Sequence, residues 1–523
     1  MRTVPWVSIL AAVPIIGMIA LALVPRGADQ LVKSVALAAS LVVLAGTIAM
    51  AASFSIHGPR FQFTQHHDWI TAFGAHYAVG VDGIGLVLIG LTAVLVPVVL
   101  LASWHEATGA RHGVKTFLAL VLATETLLIA AFGATDVFLF YVCFEAMLVP
   151  MYFLIGSYGG PRRSYAAVKF LLYSLAGGLL MLASVVGLYV ATAGHLGTGS
   201  FDFSAVTQLH GKISSGTEDL LFLGFFVAFA IKAPLWPFHT WLPDAAAEAP
   251  TGIAVLLVGV MDKVGTFGFL RWCLPLFPHA SRVFAPYILT LCVVGILYGA
   301  LLAIGQRDLK RLVAYTSVAH FGFIGLGIFA FTSQGQVGAT LYMLNHGFST
   351  GALFLIVGFL ATRRGGRLLE QFGGVAKVAP WLAGAFLVAG MSSLSLPGLN
   401  SFVSEFLVLV GTFTRHRVFA VLGTLGIVLA ALYILIMIQR TMYGPLREGN
   451  EGLADLSRRE AWVIGPVLVI IVGLGVYPKP VLDVIDPAVQ ATLTQMQEHD
   501  PAVPLPETSG TSPNRLALPG GGQ

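Results

Sequence analysis

Fourteen stretches of this chain stay apolar for about 20 residues, the length a helix needs to cross the hydrocarbon of a bilayer. They run at 4–24, 31–54, 81–103, 115–133, 136–157, 165–193, 217–240, 248–272, 284–304, 309–331, 336–361, 379–413, 417–441 and 461–477. One such run could be a core helix, but fourteen leave no water-soluble fold open. Composition agrees, with 57% hydrophobic and only 10% charged residues, against about 25% charged in an ordinary soluble domain. A soluble enzyme and a disordered protein are both excluded. The reading is an all-α polytopic membrane protein. A net charge of +4 is no signal for nucleic acid. The first run follows Arg2 but lacks a clear small-residue cleavage site, so it is read as an uncleaved first helix.

The few charges left in the loops set orientation. Odd-numbered loops hold eighteen Lys and Arg, the even loops and both tails nine. That bias places the odd loops in the cytoplasm (or matrix) and both termini on the outer face. Arg307, Lys310, Arg311, Arg363, Arg364 and Arg367 are the strongest anchors and are read as topology signals only. The loop 55–80 contains His57, His66, His67 and His76. No carboxylate or cysteine set in its sequence completes a metal site, so it is read as an ordinary outer-face loop with no metal. Cys143, Cys273 and Cys292 are far apart and form no CxxC pair, so no iron–sulfur or zinc site is expected. A phosphate loop is absent, and the GVDGIG string at 80–85 lacks the strand–turn–helix frame of a nucleotide site. The chain is therefore expected to carry no redox cofactor and to split no ATP.

Two spans carry helix breakers near mid-membrane. In the first, Pro234, Pro237 and Pro243 interrupt residues 230–244; in the second, Pro397-Gly398 interrupts 392–405. Backbone groups freed at this depth are tolerated only against protein or water. Paired breaks in corresponding positions point to an ion pathway built on internal repeats. The breaks fall in spans 7 and 12, five helices apart, so spans 4–8 and 9–13 read as two five-helix repeats of inverted topology. The expected organisation is three N-terminal helices (1–110), a first repeat (111–275), a second repeat (280–445), a C-terminal helix with flanks (446–499) and a Pro/Gly/Ser-rich disordered tail (500–523).

A charge at the bilayer centre costs about 3 kcal/mol on insertion scales, so ionisable residues there are functional candidates. Glu145, Lys232, Lys263, His320, His346 and Glu405 sit near the middle of six different spans. Hydrocarbon disfavours a charged amine, whereas a nearby carboxylate holds its proton on. Glu145 beside Lys232 thus makes a switch: together the lysine stays charged, apart it lets go. Histidines pass protons along waters near neutral pH, and Glu405 is placed to act as the terminal carrier. Asp136 is read as the N-cap of span 5. Asp262 points about 100° away from Lys263 on its helix and is expected to pair elsewhere. Glu125 stays open between relay and structural roles. Trp236, Trp241, Met147 and Met151 are read as packing.

Six motifs resemble the antiporter-like subunits of respiratory complex I. They are FEAMLVPMYFLIGSYG (144–159), KAPLWPFHTWLPDAAAEAPT (232–251), DKVGTFGFLR (262–271), RDLKRLVAYTSVAHFGF (307–323), LNHGFSTGALFL (344–355) and LPGLNSFVSEF (396–406). The resemblance covers nearly all of 80–445. It implies about fourteen helices with two inverted five-helix repeats and a proton-pumping role in the membrane arm. It places the family's glutamate–lysine pair on Glu145 and Lys232, its central lysine on Lys263, its bridging histidines on His320 and His346, and its terminal site on Glu405. Sister subunits and sodium/proton (Mrp-type) antiporter subunits usually carry lysine at that terminal position. The resemblance further implies flanking antiporter-like subunits as partners, with FMN, iron–sulfur clusters and quinone held in other chains. A bacterial plasma membrane is favoured over the mitochondrial inner membrane. The alternatives are a subunit of a multi-chain antiporter and a non-catalytic membrane scaffold.

Overall fold

A computed structural model describes residues 4–25, 27–108 and 112–501. The expected tail from 502 to 523 lies outside them. Among the described residues, twelve helices are long and apolar enough to cross a membrane. Four pack at the centre with most of their surface covered: Gly83–Ala102, Thr251–Leu276, Leu309–Ile328 and Ser333–Arg364. The peripheral helices expose leucine and valine, as on Arg163–Leu196, where Leu172, Leu179 and Val190 face outward. That inside-out pattern is what a hydrocarbon solvent permits.

The two breaks fall where the prolines stand. Helix Ser215–Lys232 stops, and the chain resumes as Trp241–Glu248. Helix Pro380–Ser393 stops, and the chain resumes as Asn400–Arg415. Pro234 and Pro237 lie in the first gap, Pro397 and Gly398 in the second. Pro243 does not break the chain. It is the third residue of Trp241–Glu248, where a missing backbone donor costs nothing. The first broken traverse therefore extends beyond 240 to Glu248, carried by the helix-forming run Ala245–Glu248.

The segment expected as a loop folds instead. Strands β1 (Gln62–Ile70) and β2 (Ala75–Val81) form an antiparallel hairpin with Asp68 opposite His76. Phe63, Thr64, Trp69 and Ile70 favour a pleated surface. Gly74 closes the turn at φ +61°, a conformation that needs glycine. A second unforeseen element follows the last span. Helix Lys479–Gln495 is too polar to cross a membrane, and it buries Ile485, Ala488, Val489, Thr492 and Leu493 on one stripe. Arg60, just before the hairpin, donates to Thr492 at 3.0 Å. Asp500 accepts from the Ser333 backbone amide at 2.8 Å.

The hairpin is pinned by a buried ion cluster. Asp82 caps helix Gly83–Ala102 by accepting from Gly85 N at 2.8 Å. Its carboxylate also meets Arg271 Nη2 at 2.8 Å and Arg60 Nε at 3.8 Å. On the opposite face the arginines do more than set topology. Arg311 meets Asp244 at 2.5 Å, and Arg367 meets Glu248 at 2.7 Å and Asp308 at 2.5 Å. Arg363 meets Glu460 at 2.6 Å. Arg311 and Arg367 tie the end of the first broken traverse to the chain that follows it, and Arg363 joins helix Ser333–Arg364 to Arg458–Val476.

Replacing Asp82 with alanine strands two guanidinium groups out of water. Removing one partner of a buried pair costs about 3–5 kcal/mol. Asp82→Ala is expected to lower the thermal midpoint of the detergent-solubilised chain, read by intrinsic fluorescence. Asp68→Ala, at an exposed side chain, serves as the reference and is expected to leave the midpoint unchanged.

Candidate polar axis through the bundle

The six candidate residues come from elements that meet at the centre of the bundle. Lys232 is the last residue of helix Ser215–Lys232, directly before the first gap. It is 1% exposed, and its Nζ lies 4.6 Å from the Phe144 ring centroid. Its Nζ has no hydrogen-bond partner among the described residues. Glu145, on helix Val137–Ala146, rests against Gly178 of Arg163–Leu196. A Cβ at Gly178 would fall 1.8 Å from Glu145 Oε1, so glycine there makes room for the carboxylate.

Lys263 sits between two π-helical turns, Leu257–Met261 and Phe269–Cys273. Such turns leave carbonyls out of the regular ladder and recur at functional sites. Lys263 Nζ donates to Val258 O at 2.5 Å and meets His346 Nδ1 at 2.6 Å. His346 Nε2 lies 3.0 Å from Ser317 Oγ. The His346 and His320 rings are 5.4 Å apart and nearly perpendicular, and His320 lies 5.7 Å from the Tyr342 ring. Neither His320 nitrogen has a hydrogen-bond partner among the described residues. Tyr342 Oη donates to Glu405 Oε2 at 3.1 Å. Ser395, in the second gap, also donates to that oxygen.

The structure brings Lys263, His346, His320, Tyr342 and Glu405 into one series; Glu145 Oε1 and Lys232 Nζ make no hydrogen bond to it or to each other. Asp136 is the helix N-cap as expected, accepting from Leu139 N at 2.9 Å. Asp262 departs from expectation, since neither of its oxygens has a partner among the described residues. Glu125 is likewise buried without a partner there. Its helix, Gly113–Gly133, is apolar around it.

Charge alone does not point to a cluster of uncharged polar residues beside the second gap. Ser392 Oγ donates to Asn400 Oδ1 at 2.5 Å, and Ser349 Oγ donates to the same oxygen at 3.1 Å. Asn345 Nδ2 donates to Asn400 O at 2.7 Å, and Asn400 Nδ2 donates to Asn345 O at 3.2 Å. One signal for it does stand in the sequence: Asn345 and Ser349 are four apart on one helix face. Tyr342 and Ser395 escape a search for charge because neither is charged at neutral pH.

Fold and interior together define a multi-pass membrane protein with ionisable side chains buried among apolar helices. Comparison with known proteins is more specific. The family model described as NADH:quinone oxidoreductase/Mrp antiporter, TM, matches residues 134–430. NADH-quinone oxidoreductase subunit M of Mycobacterium tuberculosis is 52% identical, covering 96% of each chain. The subunit M of Rhodobacter capsulatus is 40% identical over 96% of this chain and 99% of its own. Among solved structures, respiratory complex I from Thermus thermophilus with bound NADH matches at TM-score 0.84 and 29% identity, covering 94% of this chain and 99% of that one. The Mrp complex from Dietzia matches in fold, at TM-score 0.81 and 20% identity, covering 94% of this chain and 99% of that one. The chain belongs to the NADH:quinone oxidoreductase/Mrp antiporter transmembrane family, on the branch of the subunit M proteins.

Asn400→Ala removes the acceptor shared by Ser349 and Ser392. The two hydroxyl groups can still pair with each other, so the loss is the net worth of the bonds to Asn400, about 0.5–1.5 kcal/mol each. The variant is expected to unfold at a lower temperature in detergent than Asn450→Ala, which lies outside the file.

Proposed function

We propose that this chain is a proton-translocating membrane-arm subunit of an NADH-quinone oxidoreductase. The observation that carries the reading is the buried series from Lys263 through His346, His320 and Tyr342 to Glu405, with Lys232 packed on Phe144, next to Glu145. NADH oxidation and quinone reduction take place in partner chains that hold FMN, iron–sulfur clusters and quinone. Flanking antiporter-like subunits are its neighbours in the bilayer. With the two broken traverses added to the twelve long helices, the chain crosses the membrane fourteen times. Spans 4–8 and 9–13 are the inverted repeats, one break in each, within the boundaries 111–275 and 280–445. The arginine-rich face is cytoplasmic, and both termini lie outside the plasma membrane of a bacterium.

In this reading Glu145 controls Lys232. When the carboxylate is close the ammonium is held, and when it moves away the amine releases its proton. Lys263 takes the central position and hands on to His346 through their direct contact. His320 continues the path, with a single water sufficient to reach a neighbour that a direct bond does not. Tyr342 and Ser395 present donors to Glu405, the terminal site. Each proton moved against 100 mV requires about 2.3 kcal/mol, which redox chemistry elsewhere in the complex supplies.

A second reading, a subunit of a multi-chain sodium/proton antiporter, has the Dietzia fold likeness behind it. The 52% identity to a subunit M and the glutamate at 405 weigh the other way. Co-purification with flavin and iron–sulfur subunits is expected, whereas sodium exchange without NADH would favour the antiporter.

Lys232→Ala and Lys263→Ala are expected to cut NADH-driven proton uptake into inverted membrane vesicles by roughly tenfold or more, with the complex still assembled. Normal pumping and normal quinone reductase activity in both would sink the proposal. Gly178→Ala offers a finer test. Its new methyl group displaces only the mobile end of Glu145, so the variant is expected to assemble yet lose coupled activity as Glu145→Gln does.

A further inference from the structure

The hairpin face holds a cluster of metal-ligand atoms that the proton path does not use. His66 and Asp68 alternate along β1, and His76 stands opposite Asp68 on β2, so all three share one face of the hairpin. The His66 and His76 rings are 4.4 Å apart. Asp202 arrives from far along the chain, at the start of the short helix Phe203–Val206. Its Oδ2 lies 3.3 Å from His66 Nε2 and 3.5 Å from His76 Nδ1. One ligand atom from each of the three residues falls within 4.8 Å of the others.

We propose that His66, His76 and Asp202 form a binding site for a divalent transition-metal ion, with zinc the best match. Ligand atoms held about 2.0–2.1 Å from a tetrahedral zinc stand about 3.3–3.4 Å from one another. The two distances from Asp202 already match that edge. Two imidazoles and one carboxylate suit zinc better than magnesium or calcium, which prefer oxygen ligands. The surroundings support the ligands as an outer shell does. Asp136 accepts from the His76 backbone amide at 3.2 Å, with its carboxylate 3.9 Å from the ring. Asp68 Oδ1 stands 3.7 Å from His76 Nε2. His76 Nδ1 is buried without a hydrogen-bond partner among the described residues. His66 and Asp202 also line a cleft of 350 Å³. His67 is excluded, since it lies on the other hairpin face beside Tyr77.

A bound ion would staple the hairpin to the loop following Arg163–Leu196. The test uses the full chain in detergent, stripped with a chelator and titrated calorimetrically with zinc chloride, with magnesium chloride in parallel. One zinc per chain is expected, and a rise in thermal midpoint with zinc but not with magnesium, because an ion that binds only the folded chain stabilises it. His66→Gln, at a half-exposed side chain, is expected to fold normally, weaken zinc binding by roughly tenfold or more and abolish the midpoint rise. Asp202→Asn should do the same, and His67→Gln should change neither. Absence of stoichiometric zinc binding overturns the proposal, as does equal binding by parent and His66→Gln, or equal loss in His67→Gln.

Discussion

A backbone carbonyl released from a helix inside hydrocarbon has no water to turn to, and leaving it unpaired costs several kcal/mol. The two breaks impose this constraint twice, and the rest of the interior is arranged around it. At the first break Trp241 Nε1 donates to Ile231 O at 2.9 Å, and Leu235 N reaches back to Ala230 O at 2.9 Å. At the second, Asn345 reaches across from Ser333–Arg364 to Asn400 O. The first break is thus satisfied from within its own traverse, and the second by Ser333–Arg364, a helix whose surface is fully covered. The polar file then follows from the same enclosure, since the groups that satisfy the backbone also create room for ionisable side chains.

The outer faces obey a different rule. Their charged groups, whether buried or half-exposed, pair with one another across long sequence distances. Asp82 draws Arg60 and Arg271 together, and Asp244 draws Lys169 and Arg311. The first cluster fixes the hairpin to the helix ends. The second fixes the end of the first broken traverse to helix Leu309–Ile328.

Much of this is legible in the sequence. Apolar runs locate the helices because hydrocarbon permits little else, and the prolines locate both gaps. The six ionisable candidates are visible because charge at mid-membrane is rare. What escapes has a common cause. Lys479–Gln495 and the hairpin are not long apolar helices, so hydropathy alone says little about them. Pro243 misleads because a proline in a first turn is indistinguishable, by letter alone, from one that breaks a helix. Ser349, Tyr342 and Asn400 carry no charge, and their role appears only when the helices meet. Asp202 completes a cluster with histidines more than a hundred residues earlier, a pairing that local spacing cannot reveal.

The central contact also fixes a direction. When Lys263 is an ammonium it has only donors to offer, so His346 Nδ1 must accept. The neutral imidazole then carries its proton on Nε2 and gives it to Ser317 Oγ. If the proton passes from Lys263 to Nδ1, the ring becomes a donor at both nitrogens, and the neutral amine becomes its acceptor. Ser317 can accept in either state, so the hydrogen bonds persist while the charge moves one residue along. At Glu405 the sense is reversed: Tyr342 and Ser395 supply donors to a group that, once ionised, only accepts. A lysine at that position would face two hydroxyl groups obliged to turn round. The glutamate and its two hydroxyl partners therefore belong together as one chemical unit.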